Sequence, residues 1–188
     1  VEYWLDRTGQ LNYVARLNTL LGSDVTPQNN AITLIWEVLG PAPEGGNPMP
    51  LQYFRFLGIP RPIDDPYPWL SLYHYLTRVG RIPAPLANNL AAEWLEDYHQ
   101  RPWTDKEQPL LAHWLKTNDD CLNLIAKAAQ RPRYFNPAYD QDDNGQPVEL
   151  VSNILPHVQK LRELNIAFLI RAMLKLGNRD TSGAWQDF

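Results

Sequence analysis

A single cysteine, Cys121, stands in 188 residues. That excludes an internal disulfide, and with it cysteine-rich extracellular scaffolds and cysteine-based zinc sites. No apolar run reaches the ~18 residues that a membrane span requires. The best stretch, Ile166 to Leu176, is interrupted by Arg171 and Lys175. Positive charge is scattered and the net charge is -4. Nucleic acid and anionic membrane surfaces require a concentrated basic field, so neither is an expected partner. Valine is sparse and no stretch alternates polar with apolar residues, so no strand is expected. Gly45-Gly46 has no following Lys-Ser or Lys-Thr, as a phosphate loop would. Ser23, Ser71, Ser152 and Ser182 lack the glycine frame of a nucleophile elbow. No catalytic motif is found, which leaves enzyme activity open and favours a non-catalytic reading.

Hydrophobic residues make up 44% and charged residues 20%, an ordinary globular balance in a chain long enough to bury a core. Seventeen prolines are about 9% of the chain, against roughly 5% on average. They fall mostly between helical patterns and punctuate them. The seven tryptophans fall mostly within those patterns.

Leu11, Val14, Leu17 and Leu21 recur at helical spacing, and Gly22 ends that helix. Thr26-Pro27 offers a cap and a first-turn proline for the next, with Ile32, Ile35, Trp36 and Leu39 on one face. A short helix is expected over Leu51 to Leu57, and another face at Trp69, Leu72, Tyr73 and Leu76. Then come Leu86, Leu90, Trp94 and Tyr98; a capping box at Thr104 to Glu107 before Leu110, Leu111, Trp114 and Leu115; and a cap at Asn118 to Asp120 before Leu122 and Ile125. The last long pattern runs from Leu150 to Leu176, with Pro156 at a kink or a first turn. After Gly177-Asn178 the first turns of another helix follow. The expected fold is all-α: seven to eight helices as packed antiparallel hairpins, or the start of an α-solenoid. The expected organisation is one helical domain over 1–188, with a proline-rich connector at 41–68 and a polar loop at 131–149. The chain begins at Val1 and stops inside a helical pattern, so it reads as a segment of a longer protein.

Few clusters point to chemistry. Asp140, Asp142 and Asn144, with Gly145 behind them, match the first half of a calcium loop, but Val151 stands where a bidentate Glu is needed. This stretch therefore reads as a solvated acidic turn and no cofactor is expected, with calcium the one alternative that has sequence support. Arg131 and Arg133 flank Pro132 past a helix end. They suit an anion, a partner carboxylate, or that helix's negative terminus. His74, His99, His113 and His157 are too separated for a zinc-hydrolase pair. Asp64/Asp65, Glu96/Asp97 and Asp119/Asp120 are adjacent in sequence, and adjacent helical residues point about 100° apart, so they do not converge. Cys121 reads as a packing residue. Trp36, Trp94 and Trp114 lie on apolar stripes, and Trp103, in a loop, is the one expected to be exposed.

Three stretches carry a resemblance: Asn29-Asn30-Ala31 through Leu39-Gly40-Pro41; Ala128-Ala129-Gln130-Arg131-Pro132-Arg133-Tyr134; and Arg171-Ala172-Met173-Leu174 with Ala184-Trp185-Gln186-Asp187. In these the chain resembles a group of large, uncharacterised planctomycete bacterial proteins. The resemblance implies a long helical body and attachment to the bacterial cell envelope, and it assigns no activity. The functional expectation is a helical scaffold or protein-interaction module with a protein partner. The alternative is a glycan-acting or hydrolytic helical domain with carboxylates converging beside exposed aromatics.

Overall fold

The computed structural model describes residues 11–42, 48–63, 69–148 and 158–187. Among them are nine helices and no strand: α1 Tyr13–Leu21, α2 Ala31–Leu39, α3 Leu51–Leu57, α4 Leu72–Arg78, α5 Ala84–Asp97, α6 Pro109–Thr117, α7 Asp119–Ala129, α8 Val158–Gly177 and α9 Thr181–Trp185. The fold is all-α. The helix start expected after Gly177-Asn178 is α9. The chain forms two compact units, the first built from Val1–Pro66 and Lys127–His157, the second from Tyr67–Ala126 and Val158–Phe188. The readings at Asp64/Asp65, Gly45-Gly46, Ser152, His157 and Leu150 to Pro156 lie outside the described residues.

In the first unit an extended segment, 131–139, does the work a strand would do elsewhere. Asn30 forms a parallel bridge to Arg133. Ala31 N–H donates to the Arg133 carbonyl at 2.8 Å, and Arg133 N–H donates to the Asn29 carbonyl at 3.2 Å. This explains a shift in the helix start. Thr26 closes a turn with Asn29, accepting its N–H at 3.2 Å and donating its own N–H to Asn29 Oδ1 at 2.8 Å. The helix begins only at Ala31, because Asn30 keeps an extended backbone (φ -92°, ψ 119°) and caps α2. Trp36, Tyr53, Phe54 and Ile32 are fully buried. Trp36, Tyr53 and Phe54 meet edge-on with centroids 5.2–5.6 Å apart, as ring quadrupoles favour. Trp36 Nε1 donates to Tyr53 Oη at 2.8 Å, and that hydroxyl donates to Asn136 Oδ1. The buried polar tips are thus satisfied, which matters because an unmade hydrogen bond there would cost more than a made one contributes.

The second unit is more closely helix on helix. α8 meets α5, α6 and α9, and α4 meets α5. The buried line of α5 is Ala87, Ala91 and Trp94, while Leu86 is 52% exposed. The expected line at every fourth residue drifts about 40° per step on a 3.6-residue helix, so it cannot stay on one face. Small alanines let neighbouring backbones approach. Gly177 shows the same need, since a Cβ there would stand 1.8 Å from the Trp103 carbonyl oxygen. Trp103 itself is 1% exposed, donates Nε1–H to the Ile170 carbonyl at 3.2 Å, and packs edge-on against Tyr98. The expectation that it lies exposed is overturned: its loop is pinned to α8, where its indole N–H finds an acceptor inside the core. Trp36 and Trp114 are fully buried and Trp94 nearly so, as their stripes require.

The capping box before α6 forms only in part. Thr104 Oγ1 accepts the Glu107 N–H at 3.4 Å, but the Glu107 carboxylate turns outward to Arg101 at 2.6 Å. The helix starts later, with Pro109 in its first turn.

Candidate functional site

The acidic loop closes on itself. Asp142 Oδ1 accepts the N–H groups of Asn144 and Gln146, both at 2.8 Å. Gln141 pairs with Pro147, and the Asp140 carbonyl accepts Val148 N–H at 2.8 Å. Asp143, outside the calcium pattern, fastens the loop to α3. Its carboxylate accepts Leu51 N–H at 2.6 Å and pairs with Arg61 at 2.5 Å. Those contacts, the Leu51 N–H first, hold the Asp143 carboxyl below the usual carboxylate range. Among the described residues no three His, Cys, Asp or Glu side chains gather as metal ligands. Asp140, Asp142 and Asn144 stand in a hydrogen-bonded turn.

Arg131 faces inward. Its Nη1 donates to the carbonyls of Pro27 and Asn30, each at 2.8 Å, and to Thr33 Oγ1. It closes the chain leading into α2. Arg133 is exposed; its backbone, not its side chain, carries the bridge to Asn30.

Three buried asparagines do something the sequence pattern hides. Each brackets one residue, taking its N–H and giving a donor to its carbonyl. Asn18 does this to Ala138 at 2.8 Å on both sides, Asn30 to Phe135 at 2.9 Å on both, and Asn118 to Leu70 at 2.9 and 3.0 Å. An Asn side-chain amide has the donor and acceptor of a peptide unit, so one residue substitutes for a strand partner. Asn29 to Ala31 also bonds to Arg131 to Phe135, and Arg171 binds Asp187.

Each of the three described histidines has its own partner. His74 Nδ1 lies 2.9 Å from Ser71 Oγ, which caps α4; His99 Nδ1 lies 2.7 Å from the Leu95 carbonyl; His113 Nδ1 lies 2.8 Å from Tyr75 Oη. Ser71 and His74 form a cap contact three residues apart in sequence.

Cys121 is buried, and burial, with the Asp120 charge behind it, pushes its thiol up to about 11. The thiolate is the reactive form. Cys121 should therefore react with Ellman's reagent roughly a hundredfold more slowly in the native protein than in urea at neutral pH. Equal rates would show the thiol to be open.

Two features of the first unit offer room for a partner. A cavity of about 200 Å³ is lined by Asn18, Thr19, Gly22, Thr26, Phe56 and Phe135, among others, and no carboxylate. It is smaller than the roughly 300–1,000 Å³ of most small-molecule sites. The larger feature is α1. Its buried residues are Val14 and Asn18, whereas Leu17 is 38%, Leu20 62%, Leu21 62% and Tyr13 73% exposed. At 100° per residue these four span an arc of about 100°. The expected core line at Leu11, Val14, Leu17 and Leu21 is thus rotated: burying Asn18 against Ala138 turns Leu17 and Leu21 outward.

No protein-family model, no curated protein and no solved structure matches the chain.

Proposed function

We propose that the chain is a helical scaffold or protein-interaction module of a larger bacterial protein, attached to the cell envelope as the resemblance implies, and that α1 docks a helix of a protein partner. The observation that carries this reading is the exposed line of Tyr13, Leu17, Leu20 and Leu21. Single exposed leucines are ordinary, but an apolar arc along one helix is the pattern that helix-in-groove and helix-on-helix recognition uses. No helix is long and apolar enough to cross a membrane among the described residues, so α1 is not read as a span. The glycan-acting alternative has less support. Trp103, its sugar platform, is buried, and the cavity carries no acid.

The test compares the full chain with the double variant L20D/L21D as bait in a lysate of its source, followed by reconstitution with the purified captured protein. Both leucines are exposed, so the circular dichroism spectrum and melting temperature should not change. Burying a leucine contributes about 1.5–3 kcal/mol, so affinity should fall by roughly a hundredfold or more. Equal affinity of both forms would remove α1 as the site. Failure of the parent chain to retain any protein partner would remove the module reading.

A further inference from the structure

We infer that Asn144-Gly145 is a site of spontaneous modification, where the asparagine amide is converted to aspartate and isoaspartate and the acidic loop is thereby loosened from α3. The inference is independent of the proposed function. The reaction needs a main-chain nitrogen able to reach the Asn side chain, a flexible residue after it, and solvent. Gly145 supplies the first two: its φ is +74°, and nothing stands within 4 Å of where a Cβ would be. Asn144 and Gly145 are both exposed. Asn144 donates its backbone N–H to Asp142, while its side-chain amide makes no hydrogen bond among the described residues. The contrast within the chain is sharp. Asn18, Asn30 and Asn118 are buried, and each has both ends of its side-chain amide fixed to backbone.

The chemistry is hydrolytic and needs no oxidant or reductant. The Gly145 nitrogen loses its proton to solvent base and attacks Asn144 Cγ. A new N–Cγ bond forms, the Cγ–Nδ2 bond breaks, and the departing amide nitrogen takes up a proton and leaves as ammonia. Water then opens the cyclic imide. Cleavage on the side-chain carbonyl gives aspartate, and cleavage on the main-chain carbonyl gives isoaspartate. The net change is an amide plus water going to an acid plus ammonia. One interaction opposes the step: Gly145 N–H donates to the Asp142 carbonyl at 3.1 Å. Because Gly145 is exposed, water replaces that acceptor when the turn opens, and opening such a loop is far easier than opening the core.

The consequence falls on the loop. Isoaspartate inserts an extra main-chain carbon between residues 144 and 145, inside the turn that Asp142 Oδ1 holds through the N–H groups of Asn144 and Gln146. Either product also adds a negative charge beside Asp140, Asp142 and Asp143. Both changes strain the contacts by which Asp143 holds Leu51 N–H and Arg61.

The experiment ages the full chain at neutral and mildly alkaline pH and maps its peptides by mass spectrometry with fragmentation, scoring amide-to-acid conversion at each asparagine. Conversion at Asn144 should be more than about tenfold faster than at Asn30, which reacts only from a locally opened state. It should speed up with alkaline pH and give an isoaspartyl product recognised by an isoaspartate-specific methyltransferase. The variant N144Q should lack conversion at that position while keeping the parent's melting temperature. Hydrogen exchange at the Leu51 amide should rise in aged parent and not in aged N144Q. If Asn144 keeps its amide as long as Asn30 does, the site is refuted. If it converts and Leu51 exchange is unchanged, the loosening of the loop is refuted.

Discussion

Asn30→Ala should lower the unfolding free energy by several kcal/mol, one of the two largest losses expected from a single substitution in this chain. The side chain is 1% exposed and brackets Phe135, accepting its N–H and donating to its carbonyl at 2.9 Å. Alanine leaves both backbone groups without a protein partner at a buried position. Each unsatisfied buried group costs about 1–3 kcal/mol, which puts the loss at roughly 2–6 kcal/mol. Against the 5–15 kcal/mol of an ordinary domain that is a large fraction. Urea titration should show a lower midpoint at unchanged slope. Asn29→Ala is the control, because the Asn29 bonds to Thr26 and Asp24 are exposed, and its loss should stay within about 1 kcal/mol. A sharper test is Asn30→Asp, which keeps shape and acceptor and removes the donor. The introduced carboxylate would face the Phe135 carbonyl oxygen, so folding raises its pKa above the ordinary value of about 3.9. A group that binds its proton more tightly when folded favours folding at low pH and loses that contribution as pH rises. The stability difference between N30D and the parent should therefore be smallest in acid and widen as pH rises above about 4. A difference that does not vary with pH would show that this side chain does not hold Phe135.

Asparagine is also where sequence and structure part. The helices were legible because apolar spacing reports burial, and Trp36, Leu39, Leu72, Leu76, Leu111 and Trp114 are all buried on the faces their spacing assigned. Asn18 and Asn118 gave the opposite signal. A polar residue between leucines reads as the solvent side of a helix, and Asn before Asp-Asp reads as a cap. Both are buried because each serves an extended backbone far away in sequence, 120 residues for Asn18 and 48 for Asn118. No local period records such a partner. The rotation of α1 follows from this, and so does the exposed face on which the functional proposal rests. The candidate residues divide in the same way. Asp140 to Gly145 was legible as an acidic turn, since Asp, Asn and Gly have the turn chemistry seen there. That Asp143 is the residue reaching α3 was not, because its partners Leu51 and Arg61 lie 92 and 82 residues away.

The other large loss is expected at Arg171. In the sequence Arg171 and Lys175 interrupt an apolar run; in the second unit they lie one turn apart and share one carboxylate. Arg171 Nη2 and Nε grip the two oxygens of Asp187 at 2.6 and 3.0 Å, and Lys175 Nζ reaches Asp187 Oδ2 at 2.6 Å. Asp187 follows α9, so this grip ties the end of the chain's last helix to α8. Arg171 Nη1 continues to Asp119 at 3.1 Å and Asn123 at 3.2 Å on α7. Exposure ranks these contacts. The side chains of Arg171 and Asp187 are 9% and 3% exposed, Lys175 is 27% exposed, and Asp119 is 55% exposed. Removing one member of a buried pair strands the other, at about 3–5 kcal/mol. Arg171→Met and Asp187→Leu should each fall in that range. Lys175→Met, at a wetter position, should lose no more than about 1 kcal/mol. Replacing both buried partners removes the stranded charge, because a well-packed apolar pair stands in for an ion pair at little net loss. R171M/D187L should therefore be less destabilised than the sum of its single variants by about 1–3 kcal/mol. Additive losses would show that Arg171 acts through its packing, including its position 5.0 Å over the Phe168 ring, and not through Asp187. If R171M alone is neutral, Arg171 contributes nothing to holding α9, and buried Ala184 with the Lys175 contacts to Gly183 and Asp187 must hold that helix.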